Sequence, residues 1–275
     1  MRLTFALGTN PAQITLFNEL QVSNVLISFA YAKTLDGVTY QPDYLILDSG
    51  AFTAWNSGKT VDVKAYGDWV EKNQQAGKKL VAVNLDVIPG EVGRTSTKAE
   101  RAAGMKESLD NADYLRGRGL EVMEVFHQDE PLVFLDALLD RLPADGILGI
   151  SPRNDVNINS KLEWQKNVLR HLYQRCGVAN IPRTHGLAVT SMRMMKNFPY
   201  YSVDSSTWAS SMLYGTFTNE WGKQDDLENM LPGRPNMRTF PPGIIHGLRR
   251  SVEHSQHIGE SMTTLWAQRG VVWKD

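Results

Sequence analysis

Eight short apolar runs, mostly separated by segments with helical spacing, predict an α/β protein folded as a (β/α)8 TIM-like barrel. Three observations carry this. Runs such as Tyr44-Leu-Ile-Leu47 have no polar interruption, as expected of strands buried on both faces of a parallel sheet. Strand and helix patterns alternate, which calls for crossovers and not hairpins. Several runs stop abruptly at a polar side chain, Asp48 being the clearest case, followed by Ser49 and Gly50. The 275 residues suit one barrel. A doubly wound open sheet is the alternative arrangement.

The elements follow in order. Residues 2–7 read as a strand closed by Gly8, and residues 11–20 as a helix with Pro11 at its start, where proline is tolerated. Residues 24–30 are the second strand, and residues 32–41, with the turn signal Asp36-Gly37, a loop. The third strand, 44–47, precedes a helix over 61–76 whose apolar residues Val63, Tyr66 and Val70 share a face, with Gly77 as its stop. The fourth strand, 80–85, ends in Asp86. Thr97 caps a helix over 98–116, and Glu100 completes a capping box. The fifth strand, 121–126, ends in His127-Gln128-Asp129 and leads to a helix over 130–142. The sixth, 146–150, ends in Ser151-Pro152-Arg153, and an amphipathic helix over 161–175 stops at Gly177. The seventh, 184–189, contains His185-Gly186; a short helix over 191–197 and an eighth strand, 200–203, lead to Asp204.

Residues 208–239 break the pattern. They are rich in Gly, Pro, Asn and aromatics, an irregular C-terminal segment with a loop at 231–238 and a rigid turn at 240–243. Residues 245–268 form a long final helix, broken or bent near Gly259. With no repeat beyond the alternation and no low-complexity linker, a single domain over 1–275 is expected, residues 208–275 being an extension packed on the barrel.

Composition excludes several classes. The formal net charge of -1 gives no bulk attraction to nucleic acid, so any basic surface must be local. The single cysteine, Cys176, allows neither an internal disulfide framework nor a Cys-rich zinc site and implies a reducing compartment. No apolar run approaches the roughly 18 residues a membrane span needs, and the opening residues are too short in apolar length for a signal peptide. The expected location is the cytoplasm, or the host cytoplasm for a phage-encoded protein.

In a parallel barrel the strand C-termini open on one face. Here those ends carry Asp48, Asp86, His127 with Gln128, Ser151 with Arg153, and Asp204. Buried carboxylates are costly unless paired or hydrogen-bonded, so their recurrence calls for a use. One use is binding a divalent cation through oxygen ligands. Another is paired carboxylate chemistry at a glycosidic bond. No H-E-x-x-H, G-x-G-x-x-G or Walker loop is present. Asp62 reads as a helix start and Asp68 as a solvated face. His171 and Cys176 read as packing residues, and His254 and His257 as surface.

Leu47-Asp48-Ser49-Gly50-Ala51-Phe52 resembles the D-S-G-G-F-Q signature of tRNA-guanine transglycosylases. Val83-Asn84-Leu85-Asp86 is similar to the family's following strand, which ends in a base-binding Asp. Phe126-His127-Gln128 stands where the family has V-Q-G. Gly186-Leu-Ala-Val-Thr190 and Tyr201-Ser-Val-Asp204-Ser-Ser-Thr207 resemble its late strand and the segment carrying the nucleophile. The matches keep the family's order between residues 44 and 208. The short, Cys-poor chain looks most like phage and bacterial relatives that insert 7-deazaguanine bases into DNA. Gly50-Ala51 stands for the Gly-Gly pair and Thr53 for Gln. The zinc-binding Cys/His cluster of the tRNA enzymes is missing, which favours DNA over tRNA as partner, with no cofactor.

The resemblance implies a role for each residue. Asp204 would attack C1′ of a guanosine or deoxyguanosine and form a covalent glycosyl-enzyme, and Asp48 would act as general acid/base. Asp86 would accept hydrogen bonds from the base, Gln128 would read its carbonyl, and His127 and Ser49 would line its pocket. Backbone from Gly149 to Ser151 would close that pocket. Phe52 or Tyr201 would stack on the purine, core packing being the equal alternative for Phe52. Arg153, Lys223, Arg234, Arg238, Arg249 and Arg250 are candidates for phosphate contacts. The same carboxylates would also serve a nucleoside or glycoside hydrolase, or a hydrolase using Mg²⁺ or Mn²⁺. A non-catalytic barrel that binds a purine or nucleic acid is a further alternative.

Overall fold

The apolar runs become parallel strands and the segments between them helices. In the computed structural model, residues 1–90, 96–189, 191–206, 216–218, 224–226 and 242–273 are described. In chain order the elements are β1 (Arg2–Ala6), α1 (Pro11–Leu20), β2 (Asn24–Ser28), β3 (Tyr44–Asp48), α2 (Ala51–Asn56), α3 (Val63–Lys72) and β4 (Lys79–Val83). They continue with α4 (Lys98–Gly117), β5 (Val122–Met123), β6 (Val125–His127), α5 (Leu132–Arg141), β7 (Ile147–Ser151) and α6 (Ile158–Cys176). The last are β8 (Arg183–Gly186), α7 (Met192–Asn197), β9 (Ser202–Ser205), β10 (Thr216–Thr218), β11 (Gln224–Asp226) and α8 (Pro242–Gln268). Strands β1 to β9 belong to a nine-stranded sheet whose described pairings are all parallel, a TIM-barrel-like α/β fold. The chain divides into two compact units, Gln21–Ser151 and Met1–Leu20 with Pro152–Asp275.

In the unit Gln21–Ser151, strands β2, β3, β4 and β5 lie side by side in that order, and β6 pairs with β7. Tyr44, Leu45, Ile46 and Leu47 are all buried, as their unbroken apolar run requires. The predicted fifth strand is two strands, because Glu124 interrupts it. Glu124 is 1% exposed. Its carboxylate meets Arg116 at 2.5 Å and Arg141 at 3.2 Å, and its carbonyl accepts from Gly149 N at 2.8 Å. The interruption explains why the sheet has nine strands and not eight. The capping box of α4 forms: Thr97 Oγ1 accepts from Glu100 N at 3.2 Å, and Glu100 Oε2 accepts from Thr97 N at 2.7 Å.

Other boundaries differ from expectation. Residues 29–37, predicted as the end of the second strand (29–30) and the start of a loop (from 32), form 3₁₀ turns. Helix α2 follows β3 directly and was not predicted. Helix α3 ends at Lys72, before the predicted stop. Gly77 is needed for space instead: a Cβ there would lie 2.7 Å from Leu45 Cβ.

In the other unit β9 lies between β1 and β8, with Thr4 opposite Asp204 and His185 opposite Ser202. The strand β9 runs on to Ser205, so Asp204 lies within it, and β8 stops at Gly186, short of the predicted end. Helix α8 packs against β1, α1 and α7. Its Trp266 joins Ile181 and Val271 in a small core, and Trp266 Nε1 donates to Met195 O at 2.8 Å. The helix continues through Gly259, where a break or bend was expected; a Cβ at that position would sit 2.6 Å from Met1 O. Helix α8 begins at Pro242, inside the predicted turn, and β10 and β11 pair antiparallel within the segment predicted as irregular. The predicted loop 231–238 lies outside the described residues.

Candidate functional site

In the unit Gln21–Ser151 the ends of β3 and β4 are fastened together by Tyr66 of α3. Its buried hydroxyl lies 2.7 Å from Leu47 O and 2.8 Å from Val83 O. Burial pushes the Tyr66 hydroxyl well above the usual tyrosine range, and the negative charges of Asp48 and Asp86 push it further. Both carboxylates therefore act on one phenol. Asp48 closes β3 and accepts from Gly50 N at 3.1 Å. Gly50 has φ +73° and starts α2, and a Cβ there would stand 3.1 Å from Ala30 N, so glycine is required. Ser49 is buried and donates through Oγ to Asn84 O at 3.0 Å.

Asp86 lies three residues beyond the end of β4 and is held by its neighbours. Asn84 Nδ2 donates to Asp86 Oδ1 at 2.9 Å and also to Ser108 O of α4 at 2.9 Å. Ser108 Oγ accepts from Val87 N at 2.9 Å, and Asn111 Nδ2 donates to Leu85 O at 2.9 Å. His127 ends β6, with Nε2 3.1 Å from Asp86 Oδ2. A carboxylate only accepts, so Nε2 carries the proton. Burial works against a charge on His127, but the hydrogen bond to Asp86 and the charges of Asp86 and Glu130 outweigh it and raise the imidazole above its usual range. Glu130 Oε2 accepts from His127 N at 2.7 Å. Burial pushes the Glu130 carboxyl up to about 7; His127 opposes this and Asp86 adds to it. At neutral pH such a group can give or take a proton.

Gln128 follows β6, and its N–H donates to Ser151 O at 2.9 Å. Ser151 ends β7 opposite His127. Gly149 is buried inside β7, and its N–H is taken by Glu124 O, so this amide does not face a ligand. Phe52 is 57% exposed on α2 and tilted against Trp55 with centroids 6.1 Å apart, which rules out the core-packing alternative.

In the other unit the acid sits beside a histidine. Asp204 Oδ1 accepts from Ala188 N at 2.7 Å and lies 3.3 Å from His185 Nε2. His185 is fully buried, with Nδ1 2.8 Å from Ser202 Oγ. The Asp204 side chain is 13% exposed. Thr4, opposite it on β1, is buried and its hydroxyl has no partner among the described residues. Tyr201 does not stack on a ligand as expected. It precedes β9, at the strand end remote from Asp204, and is 5% exposed. Arg2 and Arg183 lie over its ring at 4.8 Å and 5.3 Å, Trp273 meets its edge, and Arg2 also hydrogen-bonds its hydroxyl.

The phosphate candidates are unequal. Arg153 is engaged by Asp155, with Nε and Nη2 at 2.9 Å and 2.5 Å from the two carboxylate oxygens, so a phosphate would have to displace that partner. The Arg249 side chain is 43% exposed and stands 3.9 Å from Glu19. Arg250 belongs to α8, its side chain lying outside the described set, and Lys223, Arg234 and Arg238 lie outside the described residues altogether. Among the described residues no group of three or more His, Cys, Asp or Glu is arranged to hold a metal ion, and no helix is long and apolar enough to cross a membrane. A Cys-rich zinc cluster cannot be built around Cys176 alone.

Sequence reasoning missed Tyr66, Glu130 and His185 as site residues and treated Asn84 only as part of a motif. His185-Gly186 inside a predicted strand was the one available signal: a polar, titratable side chain in an otherwise buried element needs a partner.

No family model matches the chain, and no curated protein matches it. Among solved structures it is similar to KGPDC from Streptococcus mutans, at 8% identity and a TM-score of 0.39 over 91% of this chain and 96% of that one.

Proposed function

We propose that the protein is a base-exchange transglycosylase that replaces guanine in nucleic acid, DNA in preference to tRNA, with a 7-deazaguanine. The observation that carries the reading is the Asp48–Ser49–Gly50 turn at the end of β3. There the glycine's left-handed backbone and the tie from Gly50 N to Asp48 fix a carboxylate where a strand gives way to a helix. The order of the strand-end motifs adds support, as do the ties on Asp86 and Asp204.

The reading assigns one role to each group. Asp204 forms a bond to C1′ as the glycosidic C1′–N9 bond breaks, the electron pair leaving with guanine. Asp48 takes up a proton from water before the reaction and gives it to the departing base. It then takes the N9 proton of the incoming 7-deazaguanine, whose N9 attacks C1′ and releases Asp204. Asp86, already bonded by Asn84 and His127, accepts from the N–H groups of the base. His127 and Gln128 line the base from the end of β6, and exposed Phe52 offers a stacking face. The target nucleotide leaves its stack to react.

The test is mass spectrometry of nucleosides from DNA and tRNA after incubation with the protein and isotope-labelled 7-deazaguanine bases. Label in deoxyguanosine positions of DNA supports the reading. Release of guanine with no incorporated label would assign a hydrolase, and no change in either polymer would overturn the enzyme.

A further inference from the structure

We infer that His185 is a positioning residue for Asp204: it pins one carboxylate oxygen, Oδ1, and so presents the other, Oδ2, as the reacting atom. The inference rests on the reading of Asp204 as nucleophile. It stands on contacts made entirely within the unit that contains both residues.

Both described hydrogen bonds to Asp204 converge on Oδ1. His185 Nε2 approaches it at 3.3 Å and Ala188 N donates to it at 2.7 Å. None reaches Oδ2 from the described residues. Two donors on one oxygen fix the plane and rotation of the carboxylate, while Oδ2 keeps its lone pairs for an incoming carbon. After Oδ2 bonds to C1′, Oδ1 becomes the carbonyl oxygen of the resulting ester and can keep both hydrogen bonds. The tethers therefore serve the free acid and the intermediate alike.

The surroundings of His185 suit this role. The ring is fully buried, so it cannot exchange protons with solvent directly. Because the carboxylate only accepts, Nε2 carries a proton; in the neutral ring Nδ1 then accepts from the Ser202 hydroxyl 2.8 Å away. Ser202 sets the tautomer, and being fully buried it is not an exposed nucleophile in its own right. Ala188 supplies the second tether from a left-handed backbone, φ +52°, that non-glycine residues adopt only rarely. Gly186 makes the preceding turn possible: a Cβ there would lie 2.8 Å from both the Tyr200 ring and Val189 Cγ2. The end of β8 is thus shaped around a single oxygen of Asp204.

The experiment has a spectroscopic and a kinetic arm. In the ¹⁵N-labelled full chain, ring ¹⁵N–¹H correlation should report His185 protonated at Nε2 and bare at Nδ1, with the Nε2 signal moving in Asp204→Asn. Wash-in of labelled guanine into duplex DNA measures exchange. His185→Ala should lower kcat about a hundredfold, the scale of a misplaced reacting group, with the KM for guanine unchanged. His185→Gln, which keeps an N–H donor, should recover part of that loss, and a dispersed spectrum identifies the variants that fold. A bare Nε2, or a His185 signal indifferent to Asp204→Asn, overturns the inference. Exchange that depends on Asp204 but proceeds at native kcat in both His185 variants overturns the positioning role alone. Absence of exchange by the native chain overturns the nucleophile reading and the role together, whatever the spectrum shows.

Discussion

His127 Nε2 stands 3.1 Å from one oxygen of Asp86, and Asn84 Nδ2 stands 2.9 Å from the other. Among the described residues each oxygen thus has one donor and keeps acceptor capacity for a second. Asp86→Asn removes the charge that helps raise His127. The imidazole should then titrate at lower pH, as followed by NMR of its ring protons. Base affinity should fall about 10–100-fold, the worth of a hydrogen bond to a charged group. An unchanged His127 titration would show that the pair is not coupled.

Glu130 makes stability depend on pH. Its folded value, about 7, lies above the ordinary carboxylate range, so the unfolded chain releases this proton first as pH rises. The stabilisation is complete below the ordinary range and is lost as pH climbs towards about 7. The raised His127 acts in the same direction, its contribution being lost as pH rises through its folded value. Glu130→Gln keeps an oxygen for His127 N. The Tm of the native protein should fall more steeply between about pH 5 and pH 7.5 than that of the variant. Parallel curves would contradict the assignment.

Glu124 is 2% exposed at its side chain and binds Arg116 and Arg141. Glu124→Ala leaves two guanidinium groups without this partner and should destabilise the fold by about 3–5 kcal/mol in urea unfolding. A loss under about 1 kcal/mol, the scale of an exposed pair, would show that the charges are solvated.

The same residue shows where sequence reading stops. Tyr44-Leu-Ile-Leu47 was legible as a strand because burial on both faces writes a continuous apolar run. Glu124 was not legible as an interruption, because its partners come from α4 and α5 and leave no local pattern. At the site, Asp48 and Asp86 stood out as acids ending apolar runs. Glu130 and His185 did not, since the raised carboxyl of Glu130 comes from its burial and the carboxylate beside His185 is supplied by another strand. Tyr201 misled because it shares a segment with Asp204, yet a strand separates its two ends.

Gly50→Ala tests the turn that sets Asp48. At φ +73°, with Ala30 N 3.1 Å from the new Cβ, the substitution should cost about 1–2 kcal/mol of stability. Base exchange should drop with it as the tie from Gly50 N to Asp48 is disturbed. A variant as stable and active as the native chain would show that the left-handed backbone is not needed.

The claim that Asp204 becomes covalently glycosylated can be read directly. Duplex DNA incubated with the protein in the absence of an incoming base, then denatured and digested, should yield guanine and a DNA–peptide adduct that fragments to Asp204. Asp204→Asn should give no adduct and lower exchange at least about a thousandfold. Guanine exchange without any adduct, or an adduct on a different residue, would contradict the account.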